Sequence, residues 1–523
     1  MIVRELPKKY GIPILPHSYL FGHFPEVIKL YLSGEVPPDV AGQSVGYLLA
    51  KKYPEYTKDG MLYTDMWPIT SPIAWVCHPE LMYQFCQDPS LPKAWLLRRE
   101  FQPFTHLKDL VTLEGAEWKR WRAIYNPGFS AKNLLSMVPD FVEEIQVFTG
   151  LLRSLAKSGE SANCLEMAMN LTYDVIGRAT MGERLHCQTI PNSFKKALNK
   201  QTTWVITDNG PENILKMINP FRPLIMGYYN KVMDGYFFPR IKRVIAEYLN
   251  AGGKSSSGHA AKPKTITSLA VKAYLNEHVS KAADDVRLDK SFTDMVIAQL
   301  KMFMLAGHDT TASTLAFAYM LLEQNPSCLA ALRQEHDAVL GSDPSTAGTQ
   351  ISSSPHLLNA LPYTLAVIKE TLRLFPPVGS VREGQKGVFL THPDTGARYP
   401  TEHFMMFSNT FWEHRSELLW KRPEEFVPER WLAKEGEELH VRKHAFRPFE
   451  LGPRSCIGQE LALLELKAIL VITVREMEIS LAYDEKAPVF LGTKAYQIMD
   501  RGQVAGRPKG GMPFRVRMVG NGK

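Results

Sequence analysis

The pattern of apolar and polar positions is helical over most of the chain, and one predicted helix is much longer than the others. That helix is expected to run from Ser291 to about Gln324. A capping box of Ser291 and Asp294 marks its start, and Asn325-Pro326 marks its end. Two further helices are predicted over Pro362–Phe375 and from Ile457 to about Glu476.

Extended runs are short and lie in the first hundred residues, between turns rich in proline and glycine. Tyr63–Trp67 and Ile73–Cys77 are predicted strands of one small sheet. The polar segments 251–264 and 342–355 are interpreted as surface insertions, because helical patterning resumes on either side of each. The expected fold class is therefore mainly α with a minor β part.

Composition narrows the class of protein. Hydrophobic residues make up 45% and charged residues 22% of the 523 positions, which excludes a collagen-like, disordered or coiled-coil chain. The length fits three or four domains, or one large domain. A net charge of +7 over this length does not indicate nucleic-acid binding. The six cysteines contain no Cys-x-x-Cys pair, so neither a disulfide scaffold nor a zinc ribbon is favoured.

No segment of the sequence has the pattern of a signal peptide or a membrane span. The first twenty residues carry four charges and prolines at positions 7, 13 and 16. The long apolar stretch Met295–Leu322 contains Gln299, Lys301, His308 and Asp309. A buried helix of a large domain fits this stretch better than a bilayer span.

One cysteine, Cys456, lies in the segment Phe449–Gly458, directly before a predicted helix. The first-turn N–H groups and the helix dipole are expected to lower the pKa of its thiol. Gly452 and Gly458 permit the close approach of a flat or bulky group, and Arg454 adds a cation. With no second cysteine or histidine nearby, haem iron with one cysteine ligand meets this description. The alternative is that Cys456 is only a small buried apolar residue.

This segment resembles the haem-binding loop of the cytochrome P450 superfamily, F-x-x-G-x-R-x-C-x-G. Phe449, Gly452, Arg454, Cys456 and Gly458 match every fixed position. The resemblance implies haem b with the Cys456 thiolate as axial ligand and the other four residues as parts of the haem site. It also implies a single triangular, mainly helical domain, with the haem between the long central helix and the cysteine loop. That domain is expected over residues 26–523, after a proline-rich, hinge-like segment over residues 1–25.

The segment Ala306–Thr311, in the middle of the long helix, is poor in helix-favouring residues. Gly307 costs roughly 1 kcal/mol relative to alanine there, and the Asp and Thr side chains can bond to the backbone and open a groove. A kink with satisfied hydroxyls is one interpretation. The segment also resembles the P450 motif [AG]-G-x-[DE]-T-[TS], which implies that Thr310 contacts bound dioxygen and that Asp309 helps to deliver protons. His308 falls at the variable position and is expected to face solvent or to be hydrogen-bonded.

Two further motifs follow the family's order. Glu370 and Arg373, three residues apart, share a helix face and resemble the family's E-x-x-R pair. The resemblance adds Arg430, from Pro428–Trp431, as the third member of a buried ion-pair trio with a structural and haem-loading role. An exposed ion pair of little energetic value is the alternative.

Trp118 and Arg122 resemble the family's W-x-x-x-R helix, and Arg382 matches a position after the E-x-x-R helix. A spacing of four places Trp118 and Arg122 on one helix face. The resemblance implies that all three residues donate hydrogen bonds to the haem propionates. The alternative for the arginines is a solvated surface.

The implied reaction is monooxygenation, in which NADPH supplies two electrons and one oxygen atom of dioxygen enters a lipophilic small molecule. The expected electron donor is NADPH–cytochrome P450 reductase. The sequence from Glu450 to Leu461 resembles filamentous-fungal members of secondary metabolism, such as polyketide oxidation. Two alternatives are a haem-thiolate isomerase or dehydratase that needs no NADPH, and a non-catalytic haem sensor.

Substrate contacts are expected from four apolar regions: the loop at about 95–115, residues 204–235, Phe303–Ala306 and Val378–Val381. Basic residues that bracket the haem motifs are a candidate docking patch for the reductase, with a solvated surface as the alternative. They are Lys119, Arg120, Arg442, Lys443 and Arg447.

By resemblance, the protein is expected at the cytosolic face of the endoplasmic reticulum membrane. Relatives of this type carry an N-terminal anchor followed by a proline-rich hinge, and this sequence begins at what resembles the hinge. Either an anchor is missing from this version, or the protein is cytoplasmic or contacts the membrane only peripherally.

Overall fold

The computed structural model describes residues 2–67, 71–87, 90–205, 215–216, 218–250, 264–278, 289–498 and 505–520. Within these ranges helices predominate. They are α1 (Ile2–Tyr10), α2 (Phe24–Leu32), α3 (Ser44–Lys52), α4 (Pro79–Cys86), α5 (Trp95–Thr105), α6 (Gly115–Tyr125), α7 (Ala131–Leu135), α8 (Val138–Ser158), α9 (Cys164–Met181), α10 (Ser193–Thr202), α11 (Arg222–Asn250), α12 (Ile266–His278), α13 (Lys290–Gln324), α14 (Pro326–Leu340), α15 (Ala347–Ser353), α16 (Pro362–Leu374), α17 (Thr410–Glu413) and α18 (Gln459–Thr473).

The strands are short and form small sheets. They are β1 (Met61–Thr64), β2 (Ile73–Val76), β3 (Ala162–Asn163), β4 (Ser380–Glu383), β5 (Phe389–Thr391), β6 (Arg398–Pro400), β7 (Met405–Ser408), β8 (Met477–Leu481), β9 (Gln497–Ile498), β10 (Arg507–Pro508) and β11 (Pro513–Met518). The largest sheet has the order β1-β2-β7-β4, in which only β2 and β7 are parallel. The predicted class, mainly α with a minor β part, is confirmed.

Helix α13 lies at the centre of the main hydrophobic core. Nearly all of its side chains are buried, around the whole helix circumference, as expected for a helix enclosed by others. Helix α9 packs closely along α13 at Gly307. A Cβ atom at this position would lie only 2.8 Å from the Ile176 side chain of α9. The helix is continuous through Gly307, so this glycine permits close helix packing and does not mark a break.

Several predicted boundaries need correction. The predicted capping box of α13 is wrong: the N-cap is Asp289, whose side chain accepts a hydrogen bond from the Ser291 N–H. Most of the predicted surface loop at 342–355 is helical, and α15 buries Ile351. The other predicted insertion, 251–264, lies outside the described residues except for Lys264.

The N-terminal segment folds against the largest sheet. Val3 and Leu6 of α1 are buried in one apolar cluster with Met61 and Tyr63 of β1. In the part of the chain that the structure describes, no helix has both the length and the apolar character that crossing a bilayer requires.

Candidate active site

The loop before α18 holds Cys456 in a fixed position. The Cys456 N–H donates to the Phe449 carbonyl at 2.8 Å, and the Ser455 N–H donates to the Gly452 carbonyl at 3.1 Å. Gly452 has a φ of +78°, and a Cβ atom there would collide with the Cys86 carbonyl oxygen. Only glycine satisfies both conditions without strain, so the loop depends on this residue.

The thiol of Cys456 is open to a cavity, whereas the other five cysteines are buried and do not line this cavity. Burial beneath the surrounding protein raises the pKa of the Cys456 thiol. The N–H groups of Gly458 and Gln459 and the Arg122 guanidinium act in the opposite direction, but they do not outweigh burial. The sequence-based expectation of a lowered pKa is therefore wrong for the protein alone. A coordinated cation deprotonates such a thiol outright.

The cavity has a volume of about 350 Å³ and lies between the cysteine loop and the middle of α13. Its lining is dominated by apolar side chains, while Thr310 and Asp309 of α13 and Cys456 of the loop add reactive groups. The apolar side chains include Leu97, Phe101, Ile176, Phe303, Val378 and Val381. The predicted catalytic residues and the predicted metal ligand thus line one cavity from two elements.

Hydroxyl groups bond to the backbone along this part of α13. The Thr310 hydroxyl donates to the Ala306 carbonyl at 2.9 Å, and the Thr314 hydroxyl donates to the Thr310 carbonyl at 2.8 Å. From α9, the Thr172 hydroxyl donates to the His308 carbonyl at 2.9 Å. Thr310 and Thr314 therefore satisfy their donors within α13, and the Thr310 oxygen can still accept a hydrogen bond.

His308 is buried and does not face solvent. Its ring stacks on Tyr173 with 3.9 Å between centroids, and its Nδ1 bonds to the Met304 carbonyl at 2.7 Å. Burial lowers the pKa of His308 to about 4, so the ring is neutral at neutral pH. The sequence left two expectations for His308, exposure to solvent or a hydrogen bond, and the hydrogen bond matches this geometry.

Asp309 forms an ion pair that the sequence did not indicate. Its Oδ1 accepts from the Arg507 Nε at 2.6 Å, and both side chains are largely buried. The two residues are 198 positions apart, and no motif marks Arg507. Only the folded chain, which brings β10 against α13, shows this contact.

Cations surround the rim of the cavity near the cysteine loop. Arg454 pairs with Glu114, and its guanidinium lies 4.2 Å from the centroid of the Trp118 ring. Arg122 donates to the Ser455 carbonyl at 2.8 Å. Arg382 is fully buried, yet its Nε and Nη2 have no hydrogen-bond partner among the described residues.

Lys93 belongs to the same rim and was not singled out from the sequence. Burial, together with the neighbouring Arg382 and Arg454, lowers its pKa to about 7. A cluster of buried cations with unused donors is costly unless an anion joins it. Glu114 and Glu450 already pair with Arg454 and Arg447, so the unused Arg382 donors are the part of this rim that favours a further anion.

The predicted ion-pair trio is assembled and buried. Glu370 accepts from Arg373 at 2.8 Å and from Arg430 at 3.0 Å, and all three side chains are at most 1% exposed. The Trp431 indole N–H also donates to Glu370, at 3.0 Å. These contacts tie α16 to the turn Pro428–Trp431, so the exposed-pair alternative is wrong.

The structure places other predicted residues away from their expected positions. Arg447 is buried and pairs with Glu450, so it cannot belong to a docking patch, whereas Arg442 and Lys443 are exposed. Within the regions 95–115 and 204–235, which were expected to contact the substrate, Phe101 lines the cavity. Phe104 and Trp204 do not line it, and Phe221 is 64% exposed.

Comparison with known proteins identifies the class. The family model described as cytochrome P450 matches residues 50–501. The chain is 37% identical over 528 residues to cytochrome P450 monooxygenase polC of Polytolypa hystricis, with 99% of this chain and 91% of the relative covered. It is 30% identical to cytochrome P450 monooxygenase acrF of Aspergillus aculeatus, over 93% of this chain and 99% of the relative. A crystal structure of a cytochrome P450 (CYP102L1) shares the fold, with a TM-score of 0.70 and 18% identity over 92% of this chain and 100% of the other.

This chain therefore belongs to the cytochrome P450 family. It is a haem-dependent monooxygenase, an oxidoreductase of the kind that uses dioxygen and a redox partner.

Proposed function

We propose that the chain is a haem-thiolate monooxygenase for lipophilic small molecules, with the Cys456 thiolate as axial ligand of haem b. One observation carries this proposal: Cys456 opens into the same apolar cavity that Thr310 and Asp309 line from α13. A thiol, a hydroxyl and a carboxylate are the groups that iron ligation and proton delivery require.

The residues present fit such a cofactor. The cavity walls are largely apolar, as the faces of a macrocycle require, and the rim carries buried cations with unused donors. We infer that Arg382, Arg454, Arg122 and Trp118 hold the propionates, since charge-assisted hydrogen bonds to carboxylates are strong. Phe449, Gly452 and Gly458 shape the loop around the Cys456 ligand. When bound, haem supplies the activation of dioxygen and the oxidation of the substrate.

The chain's own residues do the remaining work. The apolar wall of Phe101, Phe303 and Val381 excludes water and orients a lipophilic substrate. The Thr310 hydroxyl, anchored on Ala306, offers its oxygen to a donor in the cavity. Asp309 is a carboxylate at the same wall and can pass a proton onward.

The ligand assignment is tested on the purified holoenzyme by its spectrum after reduction under carbon monoxide. We expect a red-shifted Soret band, as a thiolate ligand produces, that Cys456→Ala removes. The matched control is Cys328→Ala, which deletes a buried thiol outside the cavity. A Cys456→Ala protein that keeps the band would contradict the assignment.

Catalysis is tested with NADPH, dioxygen and NADPH–cytochrome P450 reductase, the proposed electron donor. Substrate-dependent NADPH consumption supports a monooxygenase; conversion without NADPH would favour the isomerase or dehydratase alternative. A haem-bound protein that shows neither activity would favour a sensor.

The relatives named polC and acrF are fungal, and we propose a substrate from fungal secondary metabolism. Lipophilic metabolites that shift the haem spin state identify it, and a set of polyketides without effect would count against that substrate class.

We propose that the reductase docks near Lys119, Arg120, Arg442 and Lys443, which are exposed basic residues. Arg442→Glu with Lys443→Glu should slow reductase-supported turnover and weaken its dependence on salt. Charge reversal at the exposed Arg515, on β11, is the control. Equal turnover in all three proteins would exclude this patch.

We propose that the protein works at the cytosolic face of the endoplasmic reticulum membrane. Exposed apolar side chains near the start of α11 support a contact with lipid: Leu215, Ile218, Phe221, Leu224 and Tyr228. Phosphatidylcholine vesicles should retain the protein in flotation, and Phe221→Asp with Leu224→Asp should reduce that retention. Retention that these changes leave untouched would exclude this patch as the contact.

A further inference from the structure

We propose that Arg507 is a positioning residue for proton delivery: it holds one oxygen of the Asp309 carboxylate in place and leaves the other oxygen available to a proton carrier such as water. The inference rests on the proposed function and adds a residue to its site. Arg507 acts through Asp309, so it is not itself a catalytic residue.

The two oxygens of Asp309 have different surroundings. Oδ1 accepts from Arg507 at 2.6 Å, whereas Oδ2 is buried and has no hydrogen-bond partner among the described residues. A buried carboxylate oxygen without a partner is costly, and native structures rarely leave one. Since Asp309 lines the cavity, a partner for Oδ2 would enter with water or substrate there.

Arg507 is fixed to the same helix that carries Asp309. The Ser313 hydroxyl, four residues after Asp309 and on the same face of α13, donates to the Gly506 carbonyl at 2.7 Å. The Gly506 N–H donates to the Pro377 carbonyl at 2.8 Å, and Arg507 pairs with Ile498 in the β9–β10 ladder. The guanidinium is thus attached to a braced strand, which favours a constant position for Asp309.

Arg507 is the cation that pairs with Asp309. Lys195 of α10 lies over the neighbouring Tyr173 ring, 6.0 Å from its centroid. Tyr173 of α9 and His308 of α13 are the titratable neighbours, and both are neutral near neutral pH. Burial raises the pKa of Tyr173 well above its ordinary range and lowers the pKa of His308 to about 4. The electrostatic environment of Asp309 therefore depends on Arg507.

The experiment compares Arg507→Gln, Arg507→Lys and Asp309→Asn in the holoenzyme with reductase and NADPH, using a compound chosen by its haem spin-state shift. The readout is the ratio of peroxide released to NADPH consumed, over a pH series. We expect Arg507→Gln to raise peroxide release several-fold, because the Asp309 carboxylate loses the contact that holds its Oδ1 in place. Arg507→Lys should restore most of the coupling. Arg517→Gln, an exposed change on β11, should have no effect.

A second measurement separates positioning from a merely structural role. The unfolding free energies of Asp309→Asn, Arg507→Gln and the double variant form a double-mutant cycle. If the cycle shows coupling but Arg507→Gln keeps the wild-type peroxide ratio and pH profile, Arg507 is only structural and the inference is overturned. A wild type that consumes no NADPH would overturn the proposed function as well, so the two failures differ.

Discussion

At the scale of single residues, close contacts decide which residue type a position accepts. Gly452 and Gly307 both lie against a neighbour, but the neighbours differ. A Cβ atom at Gly452 meets the Cys86 backbone, which cannot move aside, and the φ of +78° adds strain. A Cβ atom at Gly307 meets the Ile176 side chain, with Cδ1 and Cγ1 each at 2.8 Å, and no backbone atom is among these contacts.

We predict that Gly452→Ala destabilises the protein and lowers haem content much more than Gly307→Ala. For Gly307→Ala, overpacking of about 1–3 kcal/mol is partly offset by the helix preference for alanine, about 1 kcal/mol. Urea unfolding and haem absorbance measure both effects.

The control for backbone strain alone is Gly387→Ala, because Gly387 has a φ of +76° and no atom of the described residues lies within 4 Å of the added Cβ. Ile176→Ala should cost less stability in the Gly307→Ala background than in the wild type, because it removes the clash, and it should cost the same in the Gly452→Ala background as in the wild type. Equal losses for Gly452→Ala and Gly387→Ala would show that the Cys86 contact is unimportant.

At the scale of elements, the buried trio joins α16 to the turn Pro428–Trp431. We predict that Glu370→Gln costs about 3–5 kcal/mol of unfolding free energy, because Arg373 and Arg430 would be left buried without their carboxylate. Denaturant unfolding gives the value. Glu425→Gln is the control, since Glu425 pairs with Arg422 at the surface, and it should change stability little. A Glu370→Gln protein as stable as that control would contradict the prediction.

Helix ends marked by local sequence signals were predicted correctly, whereas a helix that depends on tertiary packing was missed. The start of α16 and the end of α13 were predicted, since Pro362 and Asn325-Pro326 are local signals. Helix α15 was missed because its sequence is rich in Gly, Ser and Thr. Its Gly348 lies against Val142 of α8 and Ile472 of α18, so packing outweighs the poor helix propensity.

At the scale of the whole molecule, the candidate site combines segments that are far apart in sequence. Cys456, Thr310 and Asp309 were indicated because the segments around them resemble two sequence motifs of the family. Arg507 and Lys93 carry no such signal, and only the folded chain brings them to the cavity. We propose that residues 26–523 form one domain around this cavity; separate unfolding transitions in calorimetry would argue against it.

Buried neutral histidines should make the molecule sensitive to acid. Burial lowers the pKa of His336 to about 3 and of His23 and His308 to about 4, below the ordinary value of about 6.5. Between about pH 6.5 and pH 4, these histidines bind protons in the unfolded chain but not in the folded protein. The free energy of unfolding therefore falls as the pH decreases through this range. Each histidine contributes a loss of about 3 kcal/mol by pH 4.

The change that tests this is His336→Gln, because glutamine can still bond to the Thr364 hydroxyl, which lies 2.9 Å from His336 Nε2, but takes up no proton. Urea unfolding at pH 7.5 and pH 5 should show a smaller difference for His336→Gln than for the wild type. His356→Gln, at an exposed position, should behave as the wild type does. If His336→Gln and His356→Gln lose the same stability between the two pH values, buried histidines do not cause the acid sensitivity. The loss would then come from carboxylates such as Asp39, whose pKa the Lys509 ion pair lowers.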